Sequence, residues 1–139
     1  MTISTPTRLG LAALLFAWPL YADDLTGADA ILCSAVEATQ CSADGECASG
    51  PPWNWKFPQF LEIDLKKNVV STTQASGENR STPIRNTERS EGKIVLQGVQ
   101  QGRAFSFVIV EQTGMASAAI AAEGMTVTVF AACTPMTRR

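Results

Sequence analysis

"PPWNWKFPQFLEIDL", residues 51–65, is the stretch on which the reading of the fold turns. Trp53, Trp55, Phe57, Leu61, Ile63 and Leu65 all have odd numbers, whereas Asn54, Lys56, Glu62, Asp64 and Lys66 fill the even side. Side chains of a strand alternate between its two faces, so this pattern predicts an extended segment with one apolar and one polar face. Gln59 and Phe60 break the alternation, and Pro58 has no amide proton to give a ladder. A bulge, bend or edge position is expected there.

Towards the C-terminus the same kind of unit recurs. Segments 69–74, 80–89, 93–100, 103–112, 115–122 and 125–134 are rich in β-forming or small residues and are separated by "KKN", "SGEN", "SEG", "QG", "TG" and "EG". Glycines 77, 92, 102, 114 and 124 punctuate the chain at the spacing of hairpin-connected antiparallel strands. "MASAAIAAEG" has helical propensity in its alanines, but its place between two turn signals favours an extended segment, with helix as the alternative. The fold class is therefore mainly β: an antiparallel meander of about seven strands forming a small barrel or half-barrel, because an open sheet leaves bare edges and an uncovered face.

Towards the N-terminus the period changes. Ala28, Ile31, Leu32, Ala35 and Val36 follow helical spacing within residues 25–40, and Thr26 with Asp29 three residues on resembles a capping box. One N-terminal α-helix is expected. Residues 41–52, with two cysteines, two glycines and Pro51-Pro52, form a connector. The chain before Asp23 has a basic Arg8, an apolar run from Leu9 to Trp18 and a small residue at Ala22, the plan of a signal peptide cut after residue 22. That run is shorter than the roughly 20 apolar residues that span a bilayer, and Pro19 interrupts it. The organisation read from the sequence is thus a leader over 1–22, helix and cysteine-rich connector over 23–52, and an antiparallel β domain over 53–139, with 23–139 as one globular unit.

Cys33, Cys41, Cys47 and Cys133 all follow the leader, and an even count in a small exported domain reads as two disulfides. Four cysteines allow three pairings. The Asp44-Gly45 turn in "CSADGEC" favours Cys41 with Cys47, leaving Cys33 with Cys133 as a staple between the first helix and the last strand. By chain-entropy reasoning the long closure is worth roughly 4 to 5 kcal/mol and the short one about 2. A zinc site finds no support, since the chain has no histidine and no C-x-x-C pair. No cofactor-binding fingerprint is present either.

The formal charge is −2, and the only charged residue of the leader is Arg8. A slightly acidic exported domain excludes nucleic acid as partner, since that binding rests on clustered cations. Charge is nonetheless segregated: residues 23–55 contain only acids, while Lys66, Lys67, Arg80, Arg85, Arg89 and Lys93 crowd the middle of the chain. The lack of histidine also removes the usual general base and the Ser-His and Cys-His arrangements. Glu62 and Asp64 share one strand face at a separation not far from that of paired carboxylates in glycoside hydrolysis. Acids alternating beside Lys56 and Lys66 are also the ordinary solvent side of a half-buried strand. No enzyme is expected.

A tryptophan near the first strand followed by a meander resembles lipocalin- and avidin-type barrels in plan, although the lipocalin Gly-x-Trp is absent, Pro52 and Asn54 preceding the two tryptophans. Small periplasmic lysozyme inhibitors are similar in having a disulfide-stapled antiparallel barrel. These likenesses are of architecture and transfer no residues.

Parity makes Trp53, Trp55 and Phe57 the continuation of the core face. Their place at the entry of the strand, beside the connector, also puts them at a barrel mouth, and they are the ligand-binding candidates. The expected function is that of a periplasmic or secreted, non-enzymatic binding protein for a small apolar ligand, with docking to another exported protein as inhibitor or accessory subunit as the alternative. The sequence makes one immediate prediction: the exported protein begins at Asp23 and holds no free thiol. Intact mass after alkylation without reduction checks both, and four alkylated cysteines would overturn the pairing.

Overall fold

The structure, a computed structural model, describes residues 23–137. The expected leader, 1–22, lies outside the described residues. Ten strands follow one another: β1 (Ala30–Ser42), β2 (Cys47–Gly50), β3 (Phe60–Asp64), β4 (Val69–Thr72), β5 (Ser81–Pro83), β6 (Asn86–Ser90), β7 (Lys93–Gln100), β8 (Arg103–Val110), β9 (Met115–Ala122) and β10 (Met125–Pro135). All pairings are antiparallel, in the order β5-β4-β3-β1-β10-β9-β8-β7-β6, with β2 paired to β1. The mainly β half-barrel expected from the meander is present, with ten strands where about seven were read. The extra three are β1, β2, and the division of segment 80–89 into β5 and β6.

That division is where the sheet curls back on itself. β5 pairs with β4, β6 pairs with β7, and only Ile84 and Arg85 separate them. The Ile84 amide donates to the Asn68 carbonyl and the Arg85 amide to the Gln97 carbonyl, both at 2.8 Å. The two ends of the sheet path are thus joined by a single stretch of chain, and buried Ile84 turns into the core at the joint. The Gln100 side chain adds a bond from its amide nitrogen to the Ser81 carbonyl, 2.9 Å.

The expected helix over residues 25–40 is absent; from Ala30 onward that segment is strand β1. Its inward residues are Ile31, Cys33 and Ala35, then Ala38, because a β-bulge between Ala35 and Glu37 inserts one residue and resets the parity. An inserted residue turns spacings of two into a spacing of three, so 31, 35 and 38 mimic the i, i+4, i+7 pattern of a helix. Thr26 does not cap a helix either. Its hydroxyl and amide donate to Asp24 Oδ1 at 2.6 and 2.9 Å, and these bonds hold the Asp24 carboxyl below the usual carboxylate range.

Residues 23–29 form a strap across one end of the half-barrel. Leu25 is fully buried in a cluster with Ile31, Ile94, Leu96 and Ile109, and its amide donates to the Glu111 carbonyl at 2.7 Å. Arg89 fastens the strap from β6. Its guanidinium donates to the carbonyls of Ala28 (2.9 Å) and Leu25 (3.1 Å), pairs with Glu111, and reaches Asp29 at 3.6 Å. Such a part-buried network satisfies strap carbonyls that would otherwise lose their water.

A second buried cluster, Ala35, Ala38, Val127 and Val129, fills the other half of the interior. "MASAAIAA" is strand β9, as read, with a regular exposed–inward alternation. Its small inward Ala118 lies opposite Phe107 of β8, whose ring centroid is 5.4 Å from that of Phe105. Both disulfides expected from the sequence are present, Cys33–Cys133 inside the core and Cys41–Cys47 across the β1–β2 hairpin, and each joins register partners. The hairpin turns Glu91-Gly92 (φ 52° and 72°) and Gln101-Gly102 (φ 50° and 75°) both have positive φ at both residues, the type I′ geometry that matches strand twist.

Gly98 sits on the seam between β5 and β7. A Cβ there would lie 2.7 Å from the Pro83 carbonyl oxygen and would run into the Phe105 ring. Since the obstacle is backbone, it has little freedom to yield. Gly98→Ala should therefore lower stability by about 1 to 3 kcal/mol, the range for overpacking a well-filled core, read as a lower denaturant midpoint. An unchanged midpoint would mean that β5 and β7 do not meet at this distance.

Candidate functional site

Residues 51–59 do not continue β3. Pro52–Trp55 form a 3-10 turn, set by Pro51 and Pro52, which fix φ at the values a helical first turn requires. The amides of Asn54, Lys56 and Phe57 donate to the carbonyls of Pro51, Trp53 and Pro52 at 3.1, 3.2 and 3.3 Å. Lys56 ends the turn in the left-handed region, φ 57°. The odd-numbered alternation of Trp53, Trp55 and Phe57 is therefore not strand parity. A turn of about three residues sends 53 and 55 in different directions.

The three aromatic candidates part accordingly. Trp53 is 59% exposed. Trp55 and Phe57 are half-buried and pack together on the cluster of Ala35, Ala38, Val127 and Val129. Phe57, Pro58 and Gln59 lie over an apolar cavity of about 30 Å³ whose walls include Ala35, Ile63 and Phe107. That is about the liquid volume of one water molecule, where small-molecule sites run to roughly 300 Å³ or more. Of the three aromatic candidates Phe57 lines this cavity, and Trp53 and Trp55 do not.

Glu62 and Asp64 also separate in role. Asp64 is buried, and its carboxylate accepts the amides of Lys66 and Lys67, both at 3.0 Å, which ties down the β3–β4 turn. Glu62 lies on the outer side of β3 opposite Leu32.

The outer side carries what sequence reasoning missed. Strand register places side chains there in three rows. In the first, Glu62 lies across from Leu32 and Leu32 from Thr134. In the second, Phe60 faces Ser34, Ser34 faces Ala132, and Ala132 faces Met115. In the third, Glu37, beside bulged Val36, faces Phe130; Phe130 faces Ser117 and Ser117 faces Val108. Direct cross-strand partners on one face touch, so the rows form a continuous surface. Phe130 and Val36 are each 62% exposed and Met115 52%. From strand spacing and rise the surface, polar members included, covers on the order of 400 Å², within the range of the largest exposed patch of an ordinary monomer, which is often functional.

Within it lies a groove of about 260 Å³, bounded by Asp23, Leu32, Ser34, Phe60, Ala132 and Thr134. Thr134 donates its hydroxyl to Asp23, so the beginning of the described chain forms one wall. The signal for this face was present in the sequence. Phe60 breaks the parity of Leu61 and Ile63, and "TVTVFAAC" has apolar residues on both parities, with Phe130 out of phase with Val127 and Val129.

Comparison with known proteins adds no identity: no protein-family model, characterised protein or solved structure matches the chain. Among the described residues no helix is long and apolar enough to cross a membrane.

The unequal placement of the tryptophans has a direct consequence. Trp55→Ala should cost roughly 2 to 3 kcal/mol, below the value for a wholly buried ring, because only part of its contact surface is lost. Trp53→Ala should stay within about 0.5 kcal/mol of the parent. In protein lacking residues 1–22 these are the two emitters, so acrylamide quenching of each single-tryptophan variant reads the same difference. Equal quenching of both would contradict the turn geometry.

Proposed function

We propose that this is an exported, non-enzymatic binding protein, held by two disulfides, that docks another exported protein through the outer face of β1, β3, β9 and β10. The observation that carries the reading is the contrast between an inner cavity under Phe57 of about 30 Å³ and an outside that displays Phe60, Phe130, Val36 and Met115 in adjoining rows. Exposed aromatic residues in a cluster are the usual anchors of a protein interface, whose centre is apolar and whose rim is polar. Disulfides that close a small domain suit an oxidising compartment outside the cytosol. Both features fit a periplasmic or secreted inhibitor or accessory subunit.

Capture of a small apolar molecule by Trp53, Trp55 and Phe57 has less support. Trp55 and Phe57 are spent on packing, and Trp53 stands alone. A carboxylate-based hydrolase has less still, since Asp64 is occupied by two backbone amides.

Protein purified from the export compartment of its own host, examined by native mass spectrometry, tests the reading. A complex of fixed stoichiometry is expected, lost in the Phe60→Ser/Phe130→Ser variant and kept in Trp53→Ala, with both variants showing the parent's circular dichroism and melting behaviour. A complex indifferent to both phenylalanines but lost with Trp53, or a small-molecule adduct in place of a protein, would overturn it.

A further inference from the structure

We propose that the outer face takes a basic partner segment, one in which an aliphatic or aromatic side chain is flanked by lysine or arginine. This rests on the docking reading above and adds the partner's chemistry. β1, β2, β3, β9 and β10 contain no lysine or arginine, so among the described residues these strands bring no cationic side chain to the groove wall. It does contain acids. Glu62 stands at one end of the first row and Glu37 beside Phe130 in the third; Asp23, on the groove wall, carries the ammonium of the expected mature start beside its carboxylate and adds no net charge. No ion pair among the described residues engages Glu37 or Glu62, and the Asp23 carboxylate is met by a hydroxyl.

Among the described residues the lysines and arginines lie off these strands, and several are already paired. Arg80 pairs with Glu78, Arg89 with Glu111 and Asp29, and Lys66 with Asp29. Lys93 and Arg103 lie on β7 and β8, and Arg85 at the β5–β6 joint. Two copies meeting through the outer face would set acid against acid, which opposes a symmetric dimer there. An anionic bilayer meets the same repulsion. A cationic segment gains on both counts: its apolar side chain enters the groove beside Phe60, and its charges face Glu62 and Glu37. Acids at the edge of an apolar patch act chiefly on partner choice and association rate, and their effect weakens with salt.

The test uses two labelled synthetic peptides with the same leucines and phenylalanines, one alternating them with lysine and the other with glutamate, read by fluorescence anisotropy. The lysine peptide should bind about tenfold or more tightly than its twin, a difference of about 1.4 kcal/mol, and should weaken as salt is raised. Glu37→Gln/Glu62→Gln should remove most of that preference. Glu91→Gln/Glu123→Gln, which neutralises two acids elsewhere, should leave it intact and so separates local from overall charge. Equal binding of both peptides, abolished by Phe60→Ser/Phe130→Ser, would overturn the basic-partner inference and leave the docking face standing. A preference removed by the Glu91 and Glu123 control, absence of binding, or preferential flotation with phosphatidylethanolamine–phosphatidylglycerol vesicles would each overturn the inference. The native complex described above continues to judge the docking reading separately.

Discussion

Strand β1 is bonded along both sides, and the rest of the sheet is arranged around it. One side pairs with β10 from Ile31 to Ser42; the other pairs first with β3 and then with β2. Apart from β1–β3 and β1–β10, the ladders join consecutive strands and close through short turns. The β1–β10 ladder instead joins the two ends of the described chain. Its closure carries the largest entropic cost of any pairing, because loop entropy rises with the number of residues enclosed. The Cys33–Cys133 bond, with a sequence separation of 100, removes that freedom from the unfolded chain and sits on the ladder it supports. The same two sulfurs fill space in the core beside Ile31 and Ile63. Covalent closure and packing are therefore one feature.

Where local chemistry and tertiary arrangement agreed, the fold was legible. Lys93–Gln100 is a strand with the bounds read from alternation and turn residues, since Glu91-Gly92 and Gln101-Gly102 impose hairpin geometry on any neighbour. The two disulfides were legible because Asp44-Gly45 makes the short loop close. Where a single inserted residue changed phase, legibility failed. The bulge before Glu37 gave β1 the spacing of a helix, and only its partners β3 and β10 reveal it as strand. At Pro51-Pro52 the error ran the other way: a turn placed aromatics at every second position and so imitated a strand. In both places the period was real in the sequence and its cause was different.

The candidate site was less legible, for a reason that follows from the barrel plan. Alternation assigns residues to two faces but says which is inside only when the other is polar. On β10 the inner face has Val127, Val129 and Cys133, and the outer has Thr126, Thr128, Phe130, Ala132 and Thr134. An aromatic residue on the outer side looks, in sequence, like one more core residue. The reverse held for Trp53, which shares the parity of core positions and is exposed. Aromatic residues drew attention to residues 53–57, yet there the packing of Trp55 and Phe57 over a nearly filled interior had already used them.

Folding does not require the outer apolar rows. Phe130 is 62% exposed and so gains little from burial, and threonine serves equally well at an outward strand position. Nor do the rows cover an edge: they lie on strands inside the sheet path, whose terminal strands are β5 and β6. The bulge bears on the same point. By inserting one residue beside Ala35 it places Val36 and Glu37 on the outside next to Phe130 while returning Ala38 to the core, so one irregularity adds an apolar and an acidic group to the surface without loss to the interior. Bulges are commonly found where a strand re-aims side chains towards a site. A strand bonded on both sides, closed by a disulfide through its own register, is also rigid enough to hold such side chains in fixed places before a partner arrives, which reduces the ordering that binding must otherwise impose.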